Sequence, residues 1–202
     1  TEGGVGFMLV AHEHPDKLHT VGQPQPGHAV RIIDEDGNDV PPGTPGEIVG
    51  RSPATMNGYK GRPDLTAKAY WLDADGTPWL RTGDIGRLDE DGFLTLMDRA
   101  KDMIISGGFN IYPSDIEAVL VALPGVVEAA VVGVASEAWG ETPVAFVVAP
   151  NGDAESLRAA ANAQLGKTQR LAAVVLVDEL PRSHIGKVLK RELRDGFKGV
   201  VA

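Results

Sequence analysis

The stretch "DRAKDMIISGGFNIYPSDIE", Asp98 to Glu117, decides how this chain is divided, because the sequence pattern changes within it. Up to Asp98 the chain consists of short β-type runs between turns that are rich in Gly, Pro and Asp. Within the stretch, two adjacent glycines predict a tight hairpin, and Pro113 opens a run with the periodicity of an amphipathic helix. We therefore place a domain boundary directly after Asp98 and predict an α+β protein.

Residues 1–98 predict a β-rich domain. The run "AVRIIDEDGNDV", Ala29 to Val40, indicates a hairpin, and "GRLDEDGFLTLMD", Gly86 to Asp98, indicates another with its turn at Asp91-Gly92. Between them, "GEIVGRS" reads as a further strand and "DLTAKAYW", Asp64 to Trp71, as a short helix capped by Asp64. Many short strands with frequent turns predict a small β-barrel or sandwich-like unit.

Residues 99–202 alternate between strands and helices, which predicts a small α+β domain. Strands are expected at residues 126–134, 144–148 and 172–177. Helices are expected at residues 113–123, 153–165 and 187–195, the last of them beginning at Lys187.

Composition excludes several classes of function. The net charge is -9 and the basic residues are dispersed, so we expect no nucleic-acid partner. Cysteine is absent, which excludes disulfides and thiolate metal sites and fits a reducing compartment, and we expect a cytoplasmic protein. All apolar runs are far shorter than the roughly 20 residues that span a bilayer, so no transmembrane segment is expected. Because position 1 is Thr and not Met, we expect the chain to be a piece of a longer protein.

One cluster before the predicted boundary and one cluster after it contain groups suited to ligand binding. In "RTGD", Arg81 to Asp84, a glycine places Asp84 at the end of a strand, where its carboxylate could accept hydrogen bonds from both hydroxyls of a ribose. The alternative is an ordinary turn aspartate. The Gly107-Gly108 pair permits a close approach of the backbone to a ligand, and the alternative is a plain hairpin turn.

A third cluster lies near the end of the chain, in "PRSHIGKVLKREL", Pro181 to Leu193. Lys187 follows Gly186, and an ammonium group on a long stem is suited to stabilise negative charge on a carboxylate or phosphate oxygen. The alternative is a solvated surface lysine.

Taken in order, these motifs resemble the carboxyl-terminal part of the adenylate-forming (AMP-binding) acyl-CoA synthetase superfamily, from Thr1 to about Asp195. The resemblance implies that residues 1–98 are the last, distorted-barrel subdomain of a large AMP-binding domain, truncated at its start. It implies that residues 99–202 are a small, mobile α+β lid. The motifs that carry it are "GEIVGRSPATMNGYKGRPDLT", "WLRTGDIGRLDEDGFLTLMDRAKDMIISGGFNIYPSDIEAVL", "VVGVASEAWGETPVAFVV" and "LPRSHIGKVLKREL".

The same resemblance implies a nucleotide site and a hinge. Thr1 would contact phosphate, Glu2 would help hold Mg²⁺, Asp84 would bind the ribose diol and Arg99 would contact the nucleotide. Lys101 would occupy the hinge position between the two domains.

For the lid, the resemblance implies one catalytic residue and a CoA site. Lys187 would reach the carboxylate and the α-phosphate during adenylation. The loop of Ser106, Gly107 and Gly108 would line the pantetheine tunnel, and Trp139 would lie near the CoA nucleotide.

The resemblance further implies a ligase that joins a carboxylic acid to ATP, releases pyrophosphate, rotates its lid and lets the thiol of CoA attack the acyl-adenylate. ATP, Mg²⁺ and CoA would be required, and the assignment extends to fatty acid metabolism. The Ser/Thr/Gly-rich phosphate loop of the family does not occur in the sequence, so we expect this chain alone to be inactive. Two alternatives are an adenylation domain that loads a carrier protein and a noncatalytic interaction module that retains the lid fold.

Overall fold

The computed structural model describes residues 2–199. The chain divides into two compact units, of which the first ends at Ala100 and the second begins at Lys101. Both units combine strands with short helices, so the predicted α+β class is confirmed. Among residues 2–199, no helix is long and apolar enough to cross a membrane.

The first unit is made mostly of antiparallel strands. Its helix is α1 (Pro63–Ala69). Its strands are β1 (Phe7–Met8), β2 (Gln23–Pro24), β3 (Ala29–Ile33), β4 (Gly46–Arg51), β5 (Tyr70–Leu72), β6 (Pro78–Leu88) and β7 (Leu94–Arg99).

The long strand β6 organises the first unit. On one edge it pairs with β4, which in turn pairs with β3. On its other edge it pairs first with β5 and then with β7, while β1 and β2 form a separate pair. The β6–β7 hairpin turns at the predicted Asp91-Gly92 position, and the predicted strand at β4 is also confirmed. Alternation along the strands buries Ile32 and Ile48 on one sheet face and Ile33 and Val49 on the other.

Two local predictions for the first unit are wrong in detail. The second arm of the Ala29–Val40 hairpin is reduced to one bridge between Ile33 and Asp39, because the prolines that follow at positions 41 and 42 have no N–H to extend the ladder. Helix α1 is not capped by Asp64, which instead lies in its first turn and pairs with Arg62 at 2.8 Å.

The second unit packs three α-helices against one sheet within residues 101–199. Its helices are α2 (Pro113–Val121), α3 (Ala154–Asn162) and α4 (Lys190–Gly196). Its strands are β8 (Ile104–Ser106), β9 (Phe109–Ile111), β10 (Glu128–Ser136), β11 (Gly140–Val148) and β12 (Ala173–Leu176).

Strand β11 is the centre of this second sheet. It pairs antiparallel with β10 along its whole length, parallel with β12, and through Gly140 with Ser106 of the β8–β9 hairpin. The central strands are buried on both faces. One face packs against α2 and α3, and the other packs against Leu193 of α4.

The last helix begins later than the sequence predicts. Helix α4 starts at Lys190, not at Lys187, because Lys187 belongs to a small hairpin instead. Arg182 and Val188 form a bridge, and the backbone N–H of Ser183 donates to the carbonyl of Lys187 at 2.8 Å. This hairpin takes the hydrogen-bonding groups that a helix would need.

Candidate functional site

A cleft of about 560 Å³ lies in the first unit, and we call it the first-unit cleft. It brings together three of the residues that the resemblance implicates, Glu2, Asp84 and Arg99. The lining residues are Glu2, Gly3, Gly4, Val5, Tyr59, Ala69, Leu80, Arg81, Thr82, Asp84 and Arg99.

Asp84 and Arg99 face each other across the β6–β7 ladder. They are register partners, and the Arg99 Nε lies 2.8 Å from the Asp84 Oδ1. The sequence predicts that Asp84 lies at the end of a strand, and this prediction is wrong. Asp84 lies inside β6. Gly83, with φ at +71°, bends β6 just before Asp84, and the β6–β7 register shifts just after it. The strand therefore continues, but a local irregularity turns this carboxylate toward the cleft.

Tyr59 and Arg81 also line the first-unit cleft, and sequence reasoning missed both. The Tyr59 hydroxyl donates to the Glu2 Oε1 at 3.3 Å, and Arg81 Nη1 lies 2.6 Å from the Glu47 Oε2. Burial raises the pKa of the Glu47 carboxyl, although the positive charge of Arg81 acts against this rise. Both residues lie inside motifs quoted for the resemblance, but their partners are distant in sequence and leave no local signal.

The donor set of the first-unit cleft fits a magnesium ion that is held mainly by a nucleotide. Glu2 offers a carboxylate, and residues 2–199 contain no group of three or more His, Cys, Asp or Glu that could hold a metal alone. Magnesium bound with ATP commonly takes one or two protein carboxylates, with phosphate oxygens and water as its other ligands. Glu2 could therefore act as one ligand, whereas a metal site made only of protein groups does not fit.

In the second unit, the residues predicted to bind CoA lie at or beside two adjoining turns. Ser106 is buried, and the Gly107 backbone N–H donates to the Trp139 carbonyl at 2.8 Å. The Trp139 indole covers Gly107 so closely that a Cβ there would lie 2.7 Å from the ring, and Trp139 as a residue remains 57% exposed. Gly108, the next residue, has open space at the same position. The loop thus presents bare backbone beside a flat aromatic surface.

Lys187 projects from the hairpin of residues 182–188. Its backbone N–H donates to the Ser183 hydroxyl at 3.2 Å, and its side chain is exposed. The exposed hairpin tip also includes Ile185, which is 78% accessible. The structure therefore fixes the backbone of Lys187 and leaves its ammonium group available to a ligand.

Two further predicted residues fall outside these sites. Lys101 is the first residue of the second unit and lies, exposed, in a single 3-10 turn at Ala100–Asp102. Thr1 lies outside the described residues.

Comparison with protein families identifies two matching regions. Residues 1–60 match the family model described as AMP-binding enzyme, and residues 115–187 match the model described as AMP-binding enzyme C-terminal domain. Together the two matches span more than half of the chain.

Curated relatives include two kinds of ligase. A long-chain-fatty-acid–CoA ligase of Escherichia coli O6:H1 is 45% identical over 90% of this chain and 32% of the relative. The fatty acid–[acyl-carrier-protein] ligase ScoC of Streptomyces coeruleorubidus is 44% identical over 90% of this chain and 35% of the relative. The chain thus spans about a third of the length of the curated relatives it matches.

Two solved structures also align with most of this chain. ATP-bound MatB from Rhodopseudomonas palustris aligns with a TM-score of 0.82 and 38% identity, over 89% of this chain and 36% of that one. The o-succinylbenzoate CoA synthetase MenE from Bacillus subtilis, in complex with ATP and a magnesium ion, aligns with a TM-score of 0.79 and 35% identity. That alignment covers 93% of this chain and 38% of MenE.

Proposed function

The chain belongs to the adenylate-forming family of AMP-binding enzymes, and from that premise we propose that the whole protein is an ATP-dependent acid–thiol ligase. The ligase activates a carboxylic acid as its acyl-adenylate, with release of pyrophosphate, and then transfers the acyl group to CoA with release of AMP.

The observation that carries this proposal is the group of Glu2, Asp84 and Arg99 in one cleft. Asp84 supplies an acceptor for the two ribose hydroxyls, Arg99 supplies a cation for the nucleotide and Glu2 supplies a ligand for the magnesium of Mg·ATP. A bound magnesium ion would neutralise phosphate charge during adenylation. These three chemical groups match the three parts of the nucleotide, and their proximity supports a nucleotide site.

The second unit supplies the remaining groups in this proposal. The Lys187 ammonium stabilises negative charge on the carboxylate and α-phosphate as the acyl-adenylate forms. In the second half-reaction, the backbone of Gly107 and Gly108 lies along the pantetheine arm, and the exposed Trp139 indole offers a stacking surface for the CoA nucleotide. Lys101 acts as the hinge that allows the two units to serve the two half-reactions in turn.

We assign a fatty acid as the substrate class because the E. coli relative is named a long-chain-fatty-acid–CoA ligase. The experiment supplies the whole ligase with ATP, Mg²⁺, CoA and a series of carboxylic acids from short to long chain, and measures AMP, pyrophosphate and acyl-CoA. We expect all three products with long-chain acids. Formation of ADP in place of AMP would contradict the adenylate-forming mechanism, and turnover of aryl acids alone would contradict the substrate class.

A carrier protein is the second candidate acceptor, and the similarity to ScoC favours it. Free CoA and a phosphopantetheinylated carrier protein present the same thiol arm, so the same glycine loop would serve either. Parallel assays with each acceptor at equal concentration separate the two functions, because a carrier-loading enzyme would leave free CoA unconverted.

A further inference from the structure

The turn of the hairpin at residues 182–188 is tied to the sheet of the second unit by a guanidinium group, while Val188 packs against the apolar core beside it. Arg182 Nη1 donates to the Gly186 carbonyl at 2.7 Å, and Arg182 Nη2 donates to the Glu128 Oε1 at 2.7 Å. Glu128 is the first residue of β10, which is a long strand of the sheet. The two ends of one planar group thus connect the turn to the sheet.

The Gly186 carbonyl belongs to the peptide bond whose nitrogen is that of Lys187. Holding this carbonyl fixes the plane of the peptide before Lys187, and the Ser183 N–H holds the carbonyl after it, so the two together set the direction in which the Lys187 side chain leaves the backbone. Within the hairpin, the Lys187 N–H and C=O are already bonded to Ser183, but those bonds close the turn on itself. The Arg182 contact is different, because it ties the turn to a strand outside the hairpin.

The segment that follows has its own anchor. Lys190 Nζ lies 2.8 Å from the Glu117 Oε1, and the same oxygen accepts the Val131 backbone N–H at 2.7 Å. This anchor fixes the start of α4, three residues after Lys187, while the tip of the hairpin lies between the two anchors. Arg182 therefore supplies the polar anchor on the side of the hairpin that α4 does not hold, in addition to the apolar packing of Leu180 and Val188.

We propose that Arg182 is a positioning residue for adenylation, which aims Lys187 by bridging the Gly186 carbonyl and Glu128. The inference rests on the proposed function, because it assigns Arg182 a role in the half-reaction in which Lys187 acts. Arginine suits this role since its planar fork reaches two acceptors in a fixed geometry, whereas a lysine ammonium is a single point charge.

The position of this ion pair makes the idea testable without unfolding the protein. The side chains of Arg182 and Glu128 are 43% and 40% exposed, and exposed ion pairs contribute little to folding stability. A misplacement of about 1 Å in a catalytic group can nevertheless cost about 100-fold in rate. A large effect on rate with an unchanged melting temperature is therefore the expected signature.

The experiment compares Arg182→Gln, Arg182→Lys and Glu128→Gln in the whole ligase, with Arg158→Gln as the matched control. Arg158 is also a second-unit arginine in an ion pair, with Glu155, but it lies on α3. We expect Arg182→Gln to lower the kcat of acid-dependent ATP–pyrophosphate exchange about 10- to 100-fold. The KM for ATP and the rate of thiolation from supplied acyl-adenylate should stay within about 3-fold, because neither depends on the aim of Lys187.

Arg182→Lys keeps the charge and should retain more activity than Arg182→Gln. Glu128→Gln leaves the hydrogen bond from Arg182 to the Gly186 carbonyl in place and should lose less exchange activity than Arg182→Gln. The double variant that combines Arg182→Gln with Glu128→Gln should exchange pyrophosphate no more slowly than Arg182→Gln alone, because both changes break the same bridge. The inference is overturned if Arg182→Gln exchanges at the wild-type rate, if it slows both half-reactions equally, or if the two single losses multiply in the double variant. Absence of exchange by the wild-type ligase would instead refute the proposed function.

Discussion

Asp84 and Arg99 are partners across the β6–β7 ladder, and the Arg99 Nε lies 2.8 Å from the Asp84 Oδ1 at the edge of the first-unit cleft. The ion pair engages the Asp84 Oδ1, and the Asp84 side chain is 32% exposed, so the carboxylate keeps acceptor capacity for a ligand. The ion pair also holds the carboxylate in one orientation. This arrangement allows a direct test of the role of Asp84 in ribose binding.

We expect Asp84→Asn in the whole ligase to raise the KM for ATP about 10- to 100-fold, because hydrogen bonds to a charged group contribute about 1.5–3 kcal/mol. The wild-type enzyme should discriminate against 2′,3′-dideoxy-ATP, and Asp84→Asn should lose most of that discrimination. Steady-state kinetics with both nucleotides measures the effect.

Arg99→Gln is the matched control for this prediction, since it changes the other member of the same ion pair. It should weaken both nucleotides through the lost cation and should reduce the discrimination between them only in part, because Asp84 keeps its carboxylate but loses the ion pair that orients it. If Asp84→Asn still prefers ATP over the dideoxy analogue as strongly as the wild type does, Asp84 does not bind the ribose.

Lys187 is expected to act in one half-reaction only. Lys187→Ala in the whole ligase should slow adenylation about 100- to 1,000-fold, because a donor aimed at developing negative charge contributes on that scale. Thiolation from supplied acyl-adenylate should change less than about 3-fold. Single-turnover measurements of each half-reaction check the split. Lys198→Ala, which changes another exposed second-unit lysine, is the control, and equal losses in both half-reactions would contradict the assignment.

The chain of 202 residues by itself should not catalyse ATP–pyrophosphate exchange, because its sequence contains no Ser/Thr/Gly-rich phosphate loop. Exchange is measured with the purified chain, Mg·ATP and a long-chain fatty acid, with the whole ligase as the positive control. Exchange by the chain above the background of a Lys187→Ala chain would show that other residues here bind the phosphates.

Local sequence signals correctly predicted the hairpins and helices whose hydrogen bonds join residues that are close together in the sequence. Asp91-Gly92 and Gly107-Gly108 each turn a hairpin as predicted, and the helix predicted from residue 153 is α3, which begins at Ala154. The period of apolar residues correctly located α2, whose Ile116 and Leu120 are buried.

The rest depends on pairs that are far apart in sequence. The hydroxyl of Tyr59 reaches Glu2 across 57 positions, and Arg182 reaches Glu128 across 54. No periodicity or capping rule relates such residues, because the fold alone brings them together. The same reason explains the wrong start of α4: the sequence after Gly186 suits a helix, but pairing between Ser183 and Lys187 makes a hairpin there.

Gly107 tests the loop beside Trp139. Gly107→Ala should cost about 1–2 kcal/mol for a left-handed backbone, at φ of +57°, and should also displace the indole, which lies within 2.7 Å of the new Cβ. Gly108→Ala shares the backbone cost at φ of +82° but has nothing within 4 Å. The difference between the two variants therefore isolates the contact with Trp139.

Tryptophan emission and its quenching by iodide measure this difference in the purified chain. Quenching should change in Gly107→Ala and stay near the wild-type value in Gly108→Ala, while both variants unfold at lower urea concentration than the wild type. Identical emission from the two variants would show that the indole does not rest on Gly107.

The hydrogen bonds to the Asp73 carboxylate predict that the stability of the first unit depends on pH. Its Oδ2 accepts the Trp79 indole N–H at 3.0 Å and its Oδ1 accepts the Thr77 N–H at 2.8 Å. The hydrogen bond from Trp79 is the main cause that holds the pKa of Asp73 below its ordinary value of 3.8. A lowered pKa means that the folded state binds this proton more weakly than the unfolded chain does. The stabilisation is therefore complete well above pH 3.8 and is lost as the pH falls through the folded-state pKa.

Asp73→Asn should consequently lower the urea midpoint of the chain at pH 7, because an amide has one acceptor oxygen where the carboxylate has two. The gap between the urea midpoints of this variant and the wild type should narrow as the pH falls below 3.8 toward the lowered folded-state pKa, because the wild-type carboxylate then takes up a proton. Urea titrations followed by tryptophan fluorescence report on this region, since Trp71 and Trp79 lie in the first unit. Asp75→Asn, an exposed neighbour in the same turn, should change the midpoint little at either pH. A constant gap between Asp73→Asn and the wild type at pH 7 and pH 3 would mean that Asp73 stabilises the turn by its shape and not by its charge.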